Sequence, residues 1–129
     1  MEGGRLLTRS LTLVAVGAAA VALTAAAGAQ RAVAPTLLGT VGPGFTISLT
    51  LHGKKVTTLR HGIYRFSIAD RGSIHNFVLQ RVTGGKFMRA LTGVPFVGSK
   101  TITLTLGPGR WKYFCAVHAT SMFGSFTVR

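Results

Sequence analysis

From residue 45 onward, apolar and polar residues alternate in short runs, the period-two pattern of half-buried β-strands. In FTISLTL, Phe45, Ile47, Leu49 and Leu51 fall on one face and Thr46, Ser48 and Thr50 on the other. YRFSI groups Tyr64, Phe66 and Ile68, HNFVL groups His75, Phe77 and Leu79, and TITLTL groups Ile102, Leu104 and Leu106. GRWKYFCAV aligns Trp111, Tyr113 and Cys115, and the closing GSFTV aligns Phe126 and Val128. Turn signals separate the runs: Gly42-Pro43-Gly44, His52-Gly53, Asp70-Arg71-Gly72, Gly84-Gly85 and Gly107-Pro108-Gly109. Short strands punctuated by Gly and Pro predict an all-β fold, a sandwich or barrel. No stretch beyond residue 30 carries a convincing helical period.

The beginning of the chain has a different pattern. MEGGRLLTRS carries Arg5 and Arg9, an uncharged Ala-rich run follows, and Ala27-Gly28-Ala29 supplies small residues at a cleavage site. That layout predicts a secretory signal peptide over 1–29. An uncleaved membrane anchor is the competing reading, since no charge interrupts residues 10–30. The weak hydrophobicity of the run favours cleavage. Residues 30–39 then read as a lead-in and 40–129 as one compact domain. Export places the domain in the periplasm or outside the cell, or at the membrane face if the segment stays attached.

Charge narrows the partners. Of 15 Lys and Arg, two precede residue 30, and of two acids only Asp70 follows it. The remaining chain therefore carries about +12, which favours acidic proteins or anionic lipid surfaces. The basic residues are scattered, with no run longer than two and no aromatic interleaving on one face, so nucleic-acid binding is not expected.

Cys115 is the single cysteine of the chain. It has no partner for an intramolecular disulfide, which in an exported protein leaves a reactive thiol, an intermolecular bridge or a metal ligand; a small buried hydrophobe is the plain alternative. Its neighbourhood favours metal. His118 and Met122 follow in C-x₂-H-x₃-M, and His75 opens an upstream strand beside apolar residues. His52 and His61, at Gly turns, read as surface residues. Thiolate and thioether select copper, imidazole suits it, and Cys with two His and a weak axial Met is the donor set of blue-copper sites.

With these residues the chain resembles the cupredoxins, the plastocyanin and azurin family of small type 1 copper proteins, over nearly all of 40–129. The likeness rests on HNF, on G-x-W-x-Y-x-C and on C-x₂-H-x₃-M-x-G-x-F. It implies a Greek-key β-sandwich holding one copper that cycles between Cu(I) and Cu(II). His75 and His118 would be the imidazole ligands, Cys115 the thiolate and Met122 the axial thioether. Asn76 would tie the two ligand loops together, here through the backbone of Ala116. The family resemblance also implies a one-electron carrier, not an enzyme, with electrons passing through His118. A copper carrier or buffer with the same ligands but no productive electron transfer is the alternative. The expected partner is an acidic redox protein docking on the apolar flank of His118 (Ala116, Val117, Ala119, Phe123). Peripheral contact with anionic membrane and a monomeric state complete these expectations.

Overall fold

The computed structural model describes residues 28–129, together with Leu13, Gly17 and Val21; the rest of the expected signal segment lies outside the described residues. Among the described residues, ten strands form two five-stranded sheets. The first has the order β3-β2-β1-β5-β8, with β1 Thr36–Val41, β2 Ile47–Leu51, β3 Lys54–Lys55, β5 Gly62–Asp70 and β8 Gly98–Leu106. The second has the order β4-β10-β9-β6-β7, with β4 Thr58–Leu59, β6 Val78–Arg81, β7 Phe87–Ala90, β9 Gly109–Phe114 and β10 Phe123–Val128. Each sheet is mixed: β1 runs parallel to β5 and β10 parallel to β4, while the other pairings are antiparallel. The chain passes between the sheets at β3–β4, β4–β5, β5–β6, β7–β8 and β8–β9, the winding of a Greek-key sandwich.

One apolar core lies between the sheets, because each strand turns alternate residues inward. Tyr64, Phe66 and Ile68 of β5 enter it, as do Trp111 and Tyr113 of β9 and Phe126 and Val128 of β10. Ile102 and Leu104 are only half-buried, since β8 is an edge strand. Aromatic rings pack along the inner face of the second sheet: Trp111 stacks on Phe126 at 6.3 Å and Tyr113 on Phe77, just before β6, at 5.6 Å. Such pairs add roughly 0.5–1.5 kcal/mol each beyond simple burial.

Four features depart from the pattern read above. The first strand begins at Thr36, inside the expected lead-in, with Leu37, Gly39 and Val41 facing the core. Gly39 is what lets β1 pack there. A Cβ at that position would collide with Ile68 and approach Phe77. The strand expected from His75 begins only at Val78. Before it, the His75 N–H donates to Gly72 O at 3.1 Å and the Phe77 N–H to Thr92 Oγ1 at 2.9 Å, neither being a ladder bond. Strand β7 pairs with β6 at the sheet edge, where its half-buried and exposed side chains show no clear alternation. Finally, Phe45 precedes β2 and stays outside the core.

Candidate metal centre

Three connections converge at one end of the sandwich. The β5–β6 crossover carries His75, the β9–β10 hairpin carries Cys115, His118 and Met122, and the β1–β2 hairpin carries Phe45.

Cys115 is the extended residue (φ −90°, ψ 123°) that ends the inward row Trp111, Tyr113, Cys115 and caps a short 3₁₀ turn, Ala116–His118. In a 3₁₀ turn residues three apart eclipse, so Cys115 and His118 project to the same side. Backbone bonds close the hairpin tightly. The His118 N–H donates to Cys115 O at 3.2 Å, the Met122 N–H to His118 O at 2.8 Å and the Cys115 N–H to Met122 O at 3.0 Å. Met122 is thereby drawn fully into the interior beneath the turn, together with Cys115. Gly124 serves this hairpin too: it pairs with Tyr113, and a Cβ on it would strike the tyrosine ring.

On the crossover, the carboxylate Oδ1 of buried Asp70 accepts the Gly72 N–H at 3.3 Å, while its Oδ2 has no partner. Gly72 lies flat against the imidazole, since a Cβ there would stand 2.6 Å from His75 Cδ2. His75 is 2% exposed. Asn76 Oδ1 accepts the Ala116 N–H at 2.8 Å, so the expected tie between the two loops is present and uses the backbone, whatever side chain follows Cys115.

The outcome is a triangle of donors. His75 Nδ1 and His118 Nδ1 lie 3.2 Å apart, and Cys115 Sγ is 3.8 Å from the first and 3.7 Å from the second. A point equidistant from all three sits about 2.1 Å from each, a bond length from a small first-row metal to imidazole and slightly short of one to thiolate. The group therefore has the dimensions of a trigonal metal site, and one thiolate with two imidazoles suits copper. His52 and His61 are exposed and remote from this cluster in role; the His61 N–H donates to Arg129 O at 2.7 Å.

Two residues at this end have no signal in the linear pattern. Phe45 sits in the β1–β2 turn with its ring centroid 4.8 Å from that of His118 and 5.7 Å from that of His75. Buried Thr92, through its hydroxyl, anchors the backbone just beyond Asn76. Phe123, expected beside His118, opens β10 with its ring 5.4 Å from the Lys112 ammonium.

No protein-family model and no curated protein sequence matches the chain. Solved structures do. A methionine-to-glutamine variant of rusticyanin aligns at a TM-score of 0.53 and 20% identity, over 73% of this chain and 76% of that one. The copper protein rusticyanin itself aligns at 0.51 and 23%, over 73% and 76%, and reduced rusticyanin at 0.51 and 23%, over 73% and 78%. This is the cupredoxin fold. In it, the triangle of His75, Cys115 and His118 lies at the end of the sandwich where the β5–β6 and β9–β10 connections meet.

Proposed function

We propose that the protein is an exported blue copper protein that carries single electrons between redox partners, with one copper bound by His75, Cys115, His118 and Met122. The observation that carries this reading is the convergence of two imidazole nitrogens and one thiol sulfur within 4.8 Å, with Met122 buried in the same hairpin as Cys115 and His118. Bound in such a set, copper supplies a one-electron couple.

The chain's own residues prepare that role. Cys115 and His118 are fixed by the hairpin bonds, and His75 is held by Gly72 and by the Asn76 tie, so the donors are in place before metal arrives. Four protein donors leave no open position for a substrate, unlike a catalytic metal site, which supports a carrier and not an enzyme. His118 is the donor with appreciable exposure, and Val117 beside it is exposed and apolar. That edge offers a dry contact, and the surrounding positive charge would steer an acidic partner protein toward it. Export of the domain rests on the basic, apolar and small-residue layout of residues 1–29.

The test is a visible spectrum of the metal-free protein titrated with Cu(II), beside Cys115→Ser. The expected outcome is an intense blue band saturating at one copper per chain, bleached by ascorbate and missing from the variant. A pale tetragonal spectrum, or a variant that stays blue, would overturn the assignment.

A further inference from the structure

Phe45 is in phase with Ile47 and Leu49, yet its ring does not enter the core and 62% of its surface is open. The ring lies against the two imidazoles, its centroid 4.8 Å from that of His118 and 5.7 Å from that of His75. Its plane meets that of His118 at 88° and that of His75 at 70°, and the histidine rings stand 5.0 Å apart at 67°. The three rings therefore form a closed group of edge-to-face contacts. Among the described residues no other aromatic ring is paired with either imidazole.

The turn that presents Phe45 is built to hold it there. The Gly42 N–H donates to Thr46 O at 2.8 Å and Thr46 Oγ1 donates to Pro43 O at 3.0 Å. Gly42 (φ 70°) and Gly44 (φ 69°) occupy the left-handed region that glycine tolerates without strain. The turn also packs on the His75 loop. The Arg71 N–H donates to Val41 O at 2.8 Å, and a Cβ at Gly42 would sit 3.4 Å from the backbone of Arg71 and Gly72.

We infer that Phe45 is a lid and positioning residue for the metal centre. It keeps both imidazoles turned with Nδ1 toward Cys115 Sγ, and it shuts small ligands and chelators out of the site. The inference rests on the copper reading above for its consequence, and on the ring geometry for its substance. Cys115 and Met122 are fully buried and His75 nearly so, which leaves the His118 edge as the approach from solvent. Phe45 stands on that edge. A ring in edge-to-face contact resists rotation of the imidazole it touches, so its loss should loosen orientation as well as access. The lid would let an electron cross at His118 while the metal stays in place, and metal exchange would require Phe45 to leave its position.

The experiment compares wild type, Phe45→Ala and Phe45→Leu, with thermal unfolding to establish that each is folded. In metal-free protein, carbethoxylation of His118 by diethyl pyrocarbonate is followed by mass spectrometry, with exposed His52 and His61 as internal references. His118 should react about fivefold faster in Phe45→Ala, with Phe45→Leu between. An unchanged ratio overturns the lid whatever the metal proves to be. In copper-loaded protein, bathocuproine disulfonate should extract Cu(I) about tenfold faster from Phe45→Ala, and azide should shift its visible band but not that of wild type. Extraction within twofold of wild type, with no azide response, also overturns it. A wild-type chain that binds copper without a blue band refutes the ligand set instead, and the His118 labelling then decides the lid by itself.

Discussion

Replacing Asn76 with alanine tests whether the two ligand loops depend on each other before any metal binds. Asn76 is buried, and its Oδ1 accepts the Ala116 N–H at 2.8 Å, joining the crossover that carries His75 to the hairpin that carries Cys115. A hydrogen bond of this kind contributes about 1 kcal/mol net, and a donor stranded in the interior would cost up to about 3 kcal/mol. Ala116 itself is exposed, so water can take the place of the lost acceptor and the cost stays near the lower bound. Adding the packing of the deleted amide brings the expected loss to about 1.5 kcal/mol, or a fall in Tm of about 6–12 °C for a domain of this size. Thermal and urea unfolding of the metal-free protein, followed by circular dichroism, would measure it. Ser73→Ala, on the exposed part of the same loop, is the control and should shift stability by less than about 0.5 kcal/mol. If Asn76→Ala is no worse than that control, the loops are held by their own backbone bonds and the tie is not a determinant of the site.

Gly124→Ala would drive a methyl group into Tyr113, which is buried and stacked on Phe77 and has no room to yield. The expected cost is about 1–3 kcal/mol, read from the urea midpoint, and an unchanged midpoint would refute the packing argument. Tyr113 also predicts a pH dependence. Burial pushes its phenol above 10.0, against a smaller lowering by its backbone hydrogen bond with Leu49. The folded chain then holds that proton more tightly than the unfolded one, so the contribution is complete below about pH 10 and is lost as pH rises toward the folded value. Tm should fall above about pH 10 in wild type and fall less in Tyr113→Phe; parallel curves would remove Tyr113 as the cause. Met122→Leu keeps the buried volume but deletes the thioether, and should leave copper bound at a raised reduction potential. Loss of copper from that variant would contradict a weak axial role.

Most of the sandwich could be read from alternation because its strands bury one face each. Tyr64, Phe66 and Ile68, or Trp111, Tyr113 and Cys115, are pointed inward by strand geometry alone. The departures occur where something other than alternation decides. Gly39 lies in a strand because its missing Cβ makes room for Ile68, while a glycine in a linear pattern signals a turn. Strand β7 exists through its register with β6 and buries too little to leave a periodic trace.

The candidate centre was legible to a different degree for each residue. Cys115, His118 and Met122 share one short hairpin, so their spacing alone places them together, and the 3₁₀ turn supplies the reason. His75 is 40 residues away from Cys115 in sequence but lies in contact with it across the fold. Its residue type and its apolar company pointed to it, although the backbone that holds it is a loop and not the strand those neighbours suggest. Phe45 left no such trace. Its position over the imidazoles depends on the β1–β2 turn packing on the His75 loop, a relation between a hairpin of the first sheet and the crossover to the second that no local pattern encodes. The donors that define a metal's identity are thus written in residue type and spacing. The residue that governs access to them is specified by how hairpins pack at one end of the sandwich, and there the alternation of FTISLTL points the wrong way.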